Sequence, residues 1–258
     1  MKVTVYQTRV QRFLVIVITI VALAGLAVEI AEDSLGLDDP YDLLDLFSLS
    51  YEANVPTWLS ACMHATSALL LALIASGKQQ SGAPFVRHWW GLSIVFAYIS
   101  IDEFVQLHEE MNDWFDLSGA LYFGWVIPAA ILVSIFVLSY WRFLAHLPWM
   151  TRFRFIRAGA VFVGGAMGIE LILGYWTDLH GSHNLGYAII DWVEESMEMV
   201  GAGLFLSALV GVLADDTGQL QLLGGPTPPV GDAAAGSHPA ADTGTPPTSD
   251  GSDELANG

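Results

Sequence analysis

The sequence predicts an all-α, polytopic transmembrane bundle of six helices, and three observations predict it. Of its 258 residues 53% are hydrophobic and 14% are charged, with a mean hydropathy of +0.50, whereas a soluble domain carries about 25% charged residues. Six apolar runs approach or exceed the roughly 20 residues a helix needs to cross hydrocarbon. Every Lys and Arg falls on one side of the alternating pattern those runs create. A bilayer admits only helices or closed barrels as spanning structures, and runs of this length exclude barrel strands.

The spans are expected near Phe13–Ile30, Trp58–Ala75, Trp89–Glu109, Ala120–Trp141, Ile156–Trp176 and Tyr187–Leu213, within a transmembrane domain covering 13–214. The nine basic residues lie in the N-terminus (1–12), the Gly77–His88 connection and the Arg142–Arg157 connection. The Ala31–Thr57, Met111–Gly119 and Thr177–Gly186 connections carry none. The positive-inside bias therefore places the chain in the cell inner membrane, multi-pass, with both termini cytoplasmic. The net charge of −18 follows from this sidedness, because seven of the 27 acids lie beyond Ala214 and the others crowd the outer side or enter the helices. No basic patch is available to grip nucleic acid.

Taken in order, the opening Met1–Phe13 and the apolar run after it also resemble a signal peptide, with small residues near Ala22–Ala27; cleavage there leaves five helices. The first outer loop reads as an amphipathic interfacial helix near 40–50, capped by Asp39 with Pro40 in its first turn. Leu43, Leu44 and Phe47 share its apolar side, while Leu49 falls on the acidic side. The single cysteine, Cys62, excludes an intrachain disulfide. The fourth helix has only Tyr122 and Tyr140 as ionisable groups and is expected to face lipid. Gly164-x-x-x-Gly168 in the fifth suits close helix packing. Residues 215–258, rich in Gly, Pro, Ala, Thr, Ser and Asp, read as a disordered acidic cytoplasmic tail.

The chemistry lies in acids at membrane depth. At a rise of about 1.5 Å per residue, His64, Asp102, Glu103, Glu170, Glu194 and Glu195 all come to roughly 10 Å below the outer boundary, with Glu198 deeper. Asp191, Glu194, Glu195 and Glu198 fit within about a third of one helix circumference. Asp102, Gln106, Glu109 and Asp113 share a stripe on the third helix, with His108 on its far side. Each buried carboxylate costs about 2.5–3.5 kcal/mol on insertion scales, and no Lys or Arg lies near to offset it. Protons, bound cations or a partner subunit, including a second copy, are the remaining means of balance. Asp191, Glu109, Glu110, Asp113 and Asp116 are expected near or beyond the boundary as surface acids. His180 and His183 form an H-x-x-H in an outer loop, read as solvated.

With His64 among them, these donors suit Zn, Mn or Fe better than Ca or Mg. No Glu-x-x-His, H-E-x-x-H, G-x-S-x-G or P-loop pattern occurs. The segments Glu52-Ala53-Asn54-Val55-Pro56-Thr57-Trp58-x-Ser60, Ser100-x-Asp102-Glu103-x-x-x-x-His108-Glu109 and Glu194-Glu195-x-x-Glu198-Met199-x-Gly201 resemble a family of bacterial multi-helix membrane proteins without an assigned activity. Ser60, His64 and Asp102 are also similar to the early-helix Ser, Asp and His of the ceramidase and progestin-receptor-like membrane metal hydrolases. That family has seven helices and histidines in the last one; this chain has six and none there.

The expected function is a cation site, a divalent metal first among cations, in the outer half of the bundle, with His64, Asp102, Glu103, Glu170, Glu194, Glu195 and Glu198 as ligands. Two alternatives stand beside it. One is a proton-coupled transporter using protonatable intramembrane acids, Glu198 the deepest. The other is a metal-dependent hydrolase or oxidoreductase acting on a lipid-like substrate, with Glu103 or Glu195 as general base. The sequence leaves open whether the chain is an enzyme.

Overall fold

The computed structural model describes residues 2–35, 44–51 and 53–224. Among the described residues the chain is all-helical and forms a membrane-type bundle of six long helices: α1 (Lys2–Leu35), α2 (Val55–Gln80), α3 (Val86–Val105), α4 (Val126–His146), α5 (Trp149–His180) and α6 (Leu185–Gly224). Five are long and apolar enough to cross a bilayer; α3, whose last turn carries Asp102 and Glu103, is not among them. It nevertheless lies along α2 in antiparallel register, fixed where Ser93 Oγ donates to the Ala68 carbonyl and Ser100 Oγ to the Ala61 carbonyl, both at 2.8 Å.

α1 and α6 are likewise antiparallel. Trp192 Nε1 donates to the Ala22 carbonyl (2.7 Å) and Gln7 Nε2 to the Ser207 carbonyl (3.1 Å). Leu14, Ile18 and Val21 of α1 interlock with Met63 of α2 and with Met199, Ala202 and Leu206 of α6. A second apolar cluster fills the other half of the bundle, where Phe143, Trp89, Phe155 and Phe205 pack around Leu71, Ile74 and Leu209. Such burial removes about 1.5–3 kcal/mol per large side chain from aqueous exposure in the unfolded reference.

The α1–α2, α3–α4 and α5–α6 connections lie at one end, the acidic end. Lys78, Arg87, Arg142 and Arg152 flank the connections at the opposite, basic end. α4 turns most of its surface outward, Leu132 and Leu138 being 65% and 75% exposed, as expected for a lipid-facing helix.

Several elements differ from the sequence expectation. α3 stops at Val105, four residues early, because Gln106 adopts a left-handed conformation (φ 62°) and its N–H closes onto the Asp102 carbonyl at 2.7 Å. The stripe from Asp102 to Asp113 is therefore not one helical face; residues Glu109–Trp114 form a separate 3₁₀ turn, and the Asp113 side chain lies outside the described set. α6 continues to Gly224, so the boundary expected at 215 lies inside a helix, while 225–258 fall outside the described residues. So do the Asp39–Pro40 cap and the start of the amphipathic segment. The described remainder, Leu44–Phe47, is a single turn closed by Phe47 N–H and Ser48 N–H on the Leu44 carbonyl.

That turn sends Leu49 inward, opposite to the helical reading, to a position 4% exposed in the α1–α2–α6 core. Gly25 makes room for it, since a Cβ there would overlap the Leu49 side chain and approach the Phe47 carbonyl oxygen to 3.0 Å. Asn54 holds the segment down. Its amide nitrogen donates to the carbonyls of Asp45, Ser48 and Tyr51 (3.0, 2.7 and 2.8 Å), and its Oδ1 accepts from Thr57 N–H and Oγ1 at 3.2 and 3.1 Å. Asn54 is thus the N-cap of α2, with Pro56 in the first turn where its missing N–H costs nothing.

The close approach of α5 to α6 uses Gly164 only lightly, where a Cβ would lie 3.3 Å from Met197 Cε, and does not use Gly168. A Cβ on Gly168 would meet nothing within 4 Å, whereas one on Gly165 would lie 2.9 Å from the Glu194 carbonyl oxygen and one on Gly201 would lie 2.6 Å from Phe162 N. Gly165 sits in a π-helical stretch, Gly164–Ile169, immediately before Glu170. Each π turn carries an extra residue, which rotates everything after it around the helix.

Candidate functional site

One cavity of about 240 Å³ occupies the acidic half of the bundle, and Asp102, Glu103, Glu170, Glu194, Glu195 and Glu198 all line it. Six of the seven residues singled out from the sequence thus meet in one place. α6 supplies Asp191, Glu194, Glu195 and Glu198 at i, i+3, i+4 and i+7, the spacing that keeps one helical face together. The rotation introduced by the π stretch sets Glu170 among them. Among the described residues no Lys or Arg lines the cavity.

Glu194 is 5% exposed and Glu170 is 7% exposed. Glu170 Oε1 accepts from Trp125 Nε1 at 2.8 Å, and its carboxyl also meets that of Glu194. Two carboxyl groups in contact are held together by a shared proton or cation, since bare like charges repel. Glu194 Oε2 is buried without a hydrogen-bond partner, and Asp191 meets the Ser50 hydroxyl beside it. Buried polar atoms are almost always paired, so an orphan in a polar cavity marks a place for a ligand. Asp191, expected at the surface, belongs to this wall.

The early end of α3 brings in His108, which a continuous helix would have turned away. Asp102 Oδ1 accepts from His108 N–H (3.1 Å) and Asp102 Oδ2 meets His108 Nδ1 (3.0 Å). This carboxylate–imidazole pair fixes the ring and can pass a proton. The imidazole also packs edge-on against Trp125, ring centroids 4.9 Å apart. Trp125 is in turn held by Asn112, whose Oδ1 accepts its backbone N–H at 3.2 Å. Glu109 lines the cavity from the 3₁₀ turn, whereas Glu110 and Asp116 are exposed as expected.

His64 does not join the wall. It is 2% exposed and wedged between Phe96 and Phe162, with ring centroids 5.7 and 5.3 Å away and Nδ1 unpartnered. Phe96 stacks on Phe205 at 4.4 Å, so this aromatic layer closes the cavity toward the basic end. His180 stacks on Trp176 at 4.2 Å and His183 is exposed. Among the described residues no three His, Cys, Asp or Glu side chains stand close enough to hold a metal ion.

Sequence reasoning missed Glu29. It ends a strongly apolar run, yet it is 5% exposed and accepts a 2.6 Å hydrogen bond from Ser48 Oγ. With Tyr51, His183, Asn184 and Tyr187 it lines a second pocket of about 350 Å³ at the acidic end. Ser50, Tyr51 and Tyr187 belong to both pockets. They form a common wall, so the outer pocket lies directly beside the carboxylate cavity.

A multi-pass helical membrane protein with a carboxylate-walled cavity in one half of its bundle is the class that fold and site define. The chain belongs to the family described as Domain of unknown function (DUF8692), whose profile matches residues 12–213 and so takes in every residue lining the two pockets. No curated protein and no solved structure matches the chain.

Proposed function

We propose that this chain is a cation-binding protein of the cell inner membrane, with its acidic end and both pockets facing outward and both termini in the cytoplasm. The observation that carries this reading is the wall of Asp102, Glu103, Glu170, Asp191, Glu194, Glu195 and Glu198 around a cavity without a lining Lys or Arg among the described residues. Two unit charges 4 Å apart interact by about 4 kcal/mol at an effective dielectric of 20, so a positive occupant relieves a repulsion the fold otherwise retains. The carboxylates are spread around the cavity, which suits a cation held by several acids in turn better than a compact three-ligand centre. The basic residues at the opposite end support the orientation.

One experiment tests occupant and orientation together. In intact cells, with Cys62→Ala as background, an impermeant thiol reagent should label Ser182→Cys, exposed at the outer pocket, and leave Lys78→Cys untouched. Mn²⁺ or methylammonium should slow the reaction of the buried Ser50→Cys with a small neutral thiol reagent severalfold. Labelling at 78 overturns the orientation, and the absence of protection by either cation overturns the cation reading.

A further inference from the structure

The carboxylates form only part of the cavity wall. Ile99 of α3, Ala129 and Val133 of α4, and Phe162, Val163 and Ala166 of α5 line an apolar side. On α4 only Val126 and Phe143 are buried, at 4% and 1% exposure, while Phe136 in its middle packs half-buried against the core cluster. Aromatic residues also line the cavity: Trp125, bonded to Glu170, and Tyr187, beside Asp191 and Glu194.

We infer that the occupant is an organic ammonium carrying an apolar chain, its head on the acid wall and its chain along Ile99, Ala129, Val133 and Phe162. This rests on the cation reading above and names the class of cation. A bare metal ion leaves the apolar wall without a role, and a neutral amphiphile leaves the charge of the acid wall unbalanced. An alkylammonium answers both, and the aromatic rings add cation–π attraction that a strongly hydrated metal ion exploits less well. Charge complementarity excludes an anionic lipid headgroup, since eight acidic side chains would face it. Ala129 and Val133 stand on the least buried of the spanning helices, and the outer pocket shares Ser50, Tyr51 and Tyr187 with the cavity that takes the head.

Calorimetric titration of the full chain in nanodiscs, with protein-free nanodiscs subtracted, tests this with methyl-, butyl- and hexylammonium and with hexanol. Affinity should rise about two- to fourfold for each added methylene, following the burial of apolar surface, and hexanol should bind at least tenfold more weakly than hexylammonium. Val133→Trp, or the milder Ala129→Leu should the first fail to fold, should flatten the gain from methyl- to hexylammonium to less than about twofold in total. Equal affinity for methyl- and hexylammonium, or hexanol binding as tightly as hexylammonium, overturns the inference while cation binding stands. No binding by any ammonium or by Mn²⁺ overturns the cation reading itself, and this inference with it.

Discussion

Replacing Asn54 with alanine is expected to lower the unfolding free energy by about 3 kcal/mol, the largest stability effect of any single polar substitution in the chain. One side chain caps α2 and ties down three carbonyls of the preceding segment. Losing a cap costs about 1 kcal/mol, and each orphaned buried carbonyl adds about 0.5–1.5 kcal/mol. Asn54→Asp retains the acceptor on Thr57 but turns a carboxylate oxygen onto the three carbonyls, so it should be no more stable than alanine. Unfolding in mixed micelles, followed by circular dichroism, measures both. Faster amide exchange across 44–51 should accompany the loss, because Leu49 and Ser50 are anchored through this residue. A change below about 0.5 kcal/mol in the alanine variant contradicts the role given to Asn54.

Glu194→Gln is expected to weaken cation binding ten- to a hundredfold while leaving the fold intact. Glu194 is the acid whose unpartnered oxygen lines the cavity and whose other contact is Glu170. Removing one charge at close range in a partly dry site costs a bound cation a few kcal/mol at most, which sets the size of the effect. Glu198→Gln should act in the same direction, and the pair should be less than additive because both acids face one occupant. Glu110→Gln, exposed and outside the cavity, serves as the control and should bind as wild type does. Equilibrium dialysis with Mn²⁺ and methylammonium gives the numbers. Equal loss in the Glu110 and Glu194 variants would show a diffuse surface effect in place of a site.

How much of this was legible before the structure depends on which force sets each residue. The α6 acids were readable because a stripe at i, i+3, i+4 and i+7 keeps its meaning in any uninterrupted helix. Common depth then predicted that α3 and α5 acids would meet them. His108 was misplaced because Phe104–Glu110 contains no Gly or Pro to announce a break. The break arises from competition, the Asp102 side chain capturing His108 N–H and its ring and drawing the backbone out of the helix. Leu49 was misread for a related cause: a helical period was applied to a segment that is a turn. Glu29 escaped notice because its partner, Ser48, lies 19 residues away in a loop whose path no local pattern fixes. His64 shared the right depth but the wrong face, and the aromatic pair that encloses it comes from α3 and α5.

The Gly-rich stretch of α5 carried two meanings, and composition alone showed only one. Small residues do permit the close approach to α6, at Gly165 opposite the Glu194 carbonyl. The π turn they also permit, which re-aims Glu170, leaves no trace in hydropathy. Both effects converge on one place, since the backbone that Gly165 lets approach is the backbone that carries Glu194 and Glu198.

The most direct test of the central claim watches the carboxylates themselves. Infrared difference spectra of the chain in nanodiscs, recorded before and after adding methylammonium or Mn²⁺, should show shifted carboxyl and carboxylate bands, and those bands should shrink in Glu194→Gln and persist in Glu110→Gln. Superimposable spectra with and without cation, at concentrations that saturate binding, would contradict a cation held by the acid wall.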